Sequence, residues 1–116
     1  MSDLQQRIRA NFAAQGLMTT LGAELVHVAD GEVRIALLPR PALSQQHGDT
    51  HAGAITSVLD SACGYAALTV APAGMDVLTV CQGEVVGEQG ERRETIAVMQ
   101  ATIINVAVDR ARSGDP

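Results

Sequence analysis

The stretch QQHGDTHAGAITSVLDSACGYAAL, residues 45–68, decides how this chain is read. It opens with two histidines and two glycines, His47, Gly48, His51 and Gly53, and then becomes a long apolar run. From residue 52 to residue 75 the one charged side chain is Asp60. Residues three, four and seven apart share a helix face, and on that rule the run divides into two stripes. Gly53, Thr56, Ser57, Cys63, Gly64 and Ala67 lie with Asp60, all small. Ile55, Val58, Leu59, Ala62, Ala66 and Thr69 lie opposite. The second stripe is expected to pack into a core, and the first to let something approach closely. A solvated helix face normally carries Lys, Glu or Gln, and this one carries none. A carboxylate set among small and apolar neighbours is a candidate acid, base or nucleophile.

The segment before the helix adds a second kind of chemistry. His47 and His51 are four apart with Asp49 between them, but Gly48 and the loop context break the helical face that such a pair needs to bind metal. No metal or tightly bound cofactor is implied. A helix N-terminus leaves backbone N–H groups unpaired and carries partial positive charge. Such donors can hold a carbonyl oxygen that becomes an oxyanion. A donor at the start of the helix and Asp60 about two turns on, with a close-approach surface between, suit attack on a carbonyl.

Outward from this helix, residues 2–15 read as another helix. Ser2 is placed to cap it, Leu4, Ile8 and Phe12 recur at helical spacing, and Gly16 is expected to end it. Residues 23–38 read as a hairpin around Asp30-Gly31, with Val33, Ile35 and Leu37 on the buried face. Pro39 and Pro41 close it, and a loop at 43–50 leads to the helix at 52–70, stopped by Pro72 and Gly74. Strands are expected at 77–87 and 94–106, with EQGERR as the turn and a polar tail, DRARSGDP, at 109–116. Helix, hairpin, helix and strands in this order imply an α+β domain, 1–116, with an antiparallel sheet on one buried helix.

Composition narrows the function. The chain has 116 residues, a net charge of −5 and two aromatic residues, Phe12 and Tyr65. Nucleic-acid binding wants the opposite charge and stacking platforms. Cys63 and Cys81 form neither a disulfide framework nor a zinc knuckle. The N-terminus lacks the apolar region of a signal peptide. A membrane span within 52–75 is disfavoured by its Ala, Gly, Ser and Thr content and by Asp60. A soluble cytoplasmic protein is expected.

HGDTHAGAITSVLDSACGYAAL resembles the histidine–glycine–glycine to aspartate segment of hotdog-fold acyl-CoA thioesterases of the phenylacetate-pathway (PaaI) type. The likeness extends from the N-terminal helix through MDVLTV and returns in the last strands. It implies a long helix wrapped by an antiparallel sheet, subunits paired edge to edge as a homodimer or homotetramer, and active sites at the subunit interface. It also implies roles. Asp60 falls on the catalytic acid, nucleophile or general base. Ala52 and Gly53 fall on the two glycines at the oxyanion site, where alanine keeps the N–H but resists a left-handed φ. Gln45 falls near a polar residue that orients water or thioester. His51 matches the motif histidine, and His47 lies beside it on the substrate side. Thr79 falls where a hydroxyl from the neighbouring subunit can help. Against the family pattern, on the order of 30 residues, about two strands and their connections, are missing between Val80 and Cys81. The sheet is therefore expected to be short, leaving the apolar helix face with Ile55, Val58 and Leu59 in need of a partner.

The activity expected is hydrolysis of an acyl-CoA thioester, with coenzyme A as part of the substrate. Two rivals remain: a non-catalytic acyl-CoA-binding or dimerisation module, and a hotdog dehydratase. The dehydratase ranks last because no second acid is well placed to meet His51.

Overall fold

In a computed structural model describing residues 2–72 and 74–106, the chain forms three helices and four strands. The helices are α1 (Asp3–Ala14), α2 (Gly16–Leu21) and α3 (Ala52–Val70). The strands are β1 (Glu24–Ala29), β2 (Glu32–Ala36), β3 (Val77–Gln89) and β4 (Arg92–Asn105). The polar tail expected at 109–116 lies outside the described residues. The strands pair as two antiparallel hairpins, β1–β2 and β3–β4, and α3 touches all four. This is an α+β hotdog arrangement, antiparallel strands packed against one long helix.

α1 forms as its sequence dictates. Ser2 Oγ accepts from the Gln5 N–H and Gln5 Oε1 accepts from the Ser2 N–H, both at 3.1 Å, which is a capping box. Ile8 and Phe12 are buried. Gly16 does not end the helix by a left-handed turn. The chain bends at Gln15, which is extended (φ −73°, ψ 112°), and Gly16 opens α2. The apolar spacing of Leu17, Met18 and Leu21 is helical, so the segment packs rather than loops. Gly22 (φ 73°) then supplies the left-handed cap.

Two apolar clusters flank α3. Ala54, Val58 and Tyr65 join Ile8, Phe12, Met18, Leu21, Val28 and Leu43 on one side. Cys63 and Ala67 join Cys81, Met99, Ala101 and Ile103 on the other. The expected division of the helix into a core stripe and an open stripe is therefore corrected: Cys63 and Ala67, from the small stripe, are buried under β3–β4. Small residues let strands, not a ligand, approach the helix there. Val58 and Leu59 are likewise buried. The length and mean hydropathy of α3, 1.2, match those of a membrane span, yet Ala54, Val58, Cys63, Tyr65 and Ala67 have these packing partners.

Val80 and Cys81 are consecutive residues of β3, paired with Thr102 and Ala101. Val58 and Leu59 of the helix face expected to need a partner are buried, and apolar surface lies open on the outer face of the β3–β4 hairpin, where Leu78, Val80, Val98 and Ile104 are exposed, and at the end of α3, where Leu68 and Val70 are.

Gly83 sets the distance between β3 and α3. A Cβ there would lie 2.9 Å from Leu59 Cγ and closer still to Leu59 Cδ1. Gly83→Ala is expected to destabilise the fold by about 1–3 kcal/mol, the range for overpacking a filled core. A shift in the urea midpoint with an unchanged slope checks this; an unshifted midpoint would mean that Leu59 has room to move.

Candidate active site

The loop before α3 is closed on itself. Ser44 and Thr50 form an isolated bridge, the Gln45 N–H donates to the Asp49 carbonyl at 2.8 Å, and the Gly48 N–H to the Gln45 carbonyl at 3.0 Å. Gly48 takes φ 91°, a conformation few other residues adopt. The Gln45 side-chain oxygen accepts from the His47 N–H. Gln45, expected to orient water or thioester, thus closes its own loop, and His47 is exposed beside it. The His51 N–H donates to the Leu43 carbonyl at 2.7 Å, which fixes the direction in which the chain enters the helix.

His51 is the N-cap of α3, at φ −63° and ψ 134°. Its Nδ1 accepts from the Gly53 N–H at 2.8 Å, so the proton of the neutral ring is on Nε2. Its carbonyl accepts from the Ala54 N–H at 3.0 Å and the Ile55 N–H at 3.3 Å. Among the described residues the N–H of Ala52 has no partner. The donor pair expected at Ala52 and Gly53 is thereby reduced to one free N–H, because the imidazole takes the other. Gly53 is explained by the same contact. A Cβ on it would stand 3.0 Å from His51 Nδ1 and 3.2 Å from Cε1. Among the described residues no non-glycine residue has positive φ, so Ala52 is an ordinary first-turn residue and alanine is unstrained there. His51→Ala is expected to cost about 0.5–2 kcal/mol, as for other lost N-caps, read as a lower thermal midpoint. Asn, a good cap, should recover most of the loss, whereas equal midpoints for Ala and Asn would show the ring to be bystander packing.

An open depression of about 300 Å³ lies beside this helix end. Leu17 and Leu21 from α2, with Ala42 and Leu43 from the 3-10 turn Pro41–Leu43, make its apolar wall. Ser44, His51, Gly53, Ala54 and Ser57 complete it. The Ser57 hydroxyl donates to the Gly53 carbonyl at 2.8 Å. Sequence reasoning passed over Leu17, Leu21 and Ala42. The helical spacing of the two leucines was the available signal, masked by reading Gly16 as a stop.

Asp60 is exposed and makes no hydrogen bond or ion pair among the described residues. It stands eight residues beyond Ala52, about 12 Å along the axis at the helical rise. Thr79 is half-buried on β3, two residues before Cys81. Leu59 meets Gly83 and the Cys63 carbonyl meets Cys81 Sγ at 3.4 Å, so β3 runs against α3 and Thr79 lies towards the helix C-terminal half. Within one chain the structure gathers Ala52, Gly53 and His51, holds Gln45 in the loop that leads to them, and leaves Asp60 further along α3 and Thr79 towards its C-terminal half. Burial, then the neighbouring Cys81 and the Asp60 carboxylate, push the Cys63 thiol above its ordinary range. It is not a ready thiolate nucleophile.

No protein-family model and no curated protein matches the chain. Among solved structures it is similar to a thioesterase family protein from Silicibacter pomeroyi. Identity is 30% over 90% of this chain and 98% of the other, with a TM-score of 0.80. The chain belongs to the thioesterase family. Membership carries a general thioester-binding, hydrolase-type role, and the depression at the start of α3 is lined by His51 and Gly53, the two neighbours of the free Ala52 N–H.

Proposed function

We propose that this protein hydrolyses an acyl-CoA thioester to the free acid and coenzyme A, in a site shared by two copies of the chain. The observation that carries this reading is the unpartnered Ala52 N–H at the start of the 19-residue helix α3, between His51 and Gly53, which line a depression with an apolar wall. The thioester carbonyl oxygen accepts from Ala52. Asp60 takes a proton from water as the water oxygen attacks the carbonyl carbon, or attacks that carbon itself. The tetrahedral oxyanion stays on the helix N-terminus, where N–H and dipole favour it. Its collapse expels the thiolate of coenzyme A, which takes the proton from Asp60; where Asp60 is the nucleophile, water opens the anhydride it forms, releasing the acid and restoring the carboxylate, and the proton lost by that water goes to the thiolate.

Acid and donor must both lie within about 3 Å of the reacting group, and about 12 Å of helix separates them in one chain. Two α3 helices side by side and antiparallel bring Asp60 of one copy to Ala52 of the other. The same pairing offers Thr79 and Gln45 to a site from across the interface, and supports a homodimer or a homotetramer built from it. The free, buried thiols of Cys63 and Cys81 suit a reducing, cytoplasmic setting.

Release of coenzyme A from a panel of acyl-CoA thioesters, followed with a thiol reagent, tests the proposal. Specific activity should fall on dilution as the pair of chains dissociates. Binding without release would instead identify an acyl-CoA-binding module.

A further inference from the structure

Resting on the thioesterase reading, we infer that the depression between α2 and the start of α3 receives the acyl group, and that it selects uncharged acyl chains of up to about eight carbons, with Leu17 as the residue that sets their length. Three observations carry this. First, no Lys, Arg, Asp or Glu lines the depression; Leu17, Leu21, Ala42 and Leu43 make its apolar wall, and its polar lining is Ser44, His51 and Ser57. Arg40, the nearby cation, directs its guanidinium to the Thr20 and Leu21 carbonyls at the end of α2. An acyl chain ending in a carboxylate would lose water against the leucine wall and meet no arginine or lysine there, which is costly. Second, the volume of about 300 Å³ is roughly twice that of an apolar cavity of about 150 Å³ that admits benzene, enough for a chain or ring of about six to eight carbons. Third, Leu17 is a large apolar side chain that the core does not absorb. It is 53% exposed while Met18 and Leu21 beside it are buried.

The wall is also held in place. Gln15, at the bend between α1 and α2, donates through Nε2 to the Tyr65 hydroxyl at 2.6 Å, and Tyr65 donates to Asn11 Oδ1 at 2.7 Å. The Ser61 hydroxyl donates to Gln15 Oε1 at 3.3 Å. The bend that presents Leu17 is thus tied to α3, the helix that presents the Ala52 donor. A wall fixed relative to the reacting carbonyl measures length; a mobile one would accept any chain.

The experiment measures kcat/KM on straight-chain acyl-CoA thioesters from acetyl to dodecanoyl and on glutaryl-CoA, for the native chain, Leu17→Trp and Leu17→Arg. Calorimetric affinities for S-alkyl-CoA thioethers, which cannot be hydrolysed, are measured alongside. Leu17 lies at the surface, so both substitutions leave the core intact. kcat/KM should rise about fourfold per added carbon, the worth of one buried methylene, and stop rising near eight carbons. Leu17→Trp should move the optimum to shorter chains. Leu17→Arg should raise the glutaryl-to-hexanoyl ratio by about tenfold or more. Hydrolysis with a length profile that neither Leu17 variant alters overturns this inference and leaves the thioesterase reading standing. Thioether affinities that follow chain length and Leu17, in the absence of hydrolysis, keep the acyl site and remove the catalytic reading. Neither hydrolysis nor thioether binding overturns both.

Discussion

Asp60→Asn is expected to lower acyl-CoA turnover by about 10²–10⁴-fold, the usual loss when a positioned acid or base is removed. The change keeps the size of the side chain and deletes its capacity to take a proton or to attack. Asp60 is exposed on α3 and makes no hydrogen bond or ion pair among the described residues, so no native contact is lost with the charge. The thermal midpoint and the affinity for an S-alkyl-CoA thioether should stay near native while kcat falls. Near-native kcat in the Asn variant would return Asp60 to the status of a solvated helix residue.

Ala52→Pro is expected to cost about 10²–10³-fold in kcat, the price of one oxyanion donor, with little effect on folding. Proline removes the N–H and nothing else that the helix uses. Position 52 is the first residue of α3, where proline is favoured. His51 already has the extended backbone, φ −63° and ψ 134°, that a residue before proline requires. Ala52→Gly, by contrast, should leave turnover unchanged, because alanine at 52 carries no backbone strain. An active proline variant would mean that the carbonyl is held elsewhere.

The two dead variants together test the shared site. After unfolding and refolding as an equal mixture, about half of the two-fold dimers are hybrids, each with one intact site and one doubly damaged site. Activity should return to about a quarter of native. A site contained within one chain gives no rescue at any ratio.

The N-terminal helix, the Asp30-Gly31 hairpin and the extent of α3 were legible in the sequence because each is specified locally. The Ser2–Gln5 capping box, the alternation of Val33, Ile35 and Leu37, and the apolar run at 52–70 act through neighbours a few residues away. The β3–β4 turn was placed correctly, but the strands reach it at Gln89 and Arg92. Gly90 at φ 60° makes a two-residue connection where a longer turn was expected. α2 was lost because glycine is read as a stop, and only packing of Met18 and Leu21 against the core decides otherwise.

Asp60 stood out in the sequence as the lone charge of the apolar run, and His51 and Ala52 as candidates through their place at the helix start and the family resemblance. What each can reach was settled by tertiary structure. The His51 ring folds back over Gly53 and takes its N–H, which leaves Ala52 as the free donor. Gln45 turns into its own loop, Cys63 and Ala67 are covered by β3–β4, and α2 closes one side of the depression. These outcomes depend on which surfaces meet across the fold. A sequence read by helical and strand periods says which face a side chain occupies, but not what stands opposite it.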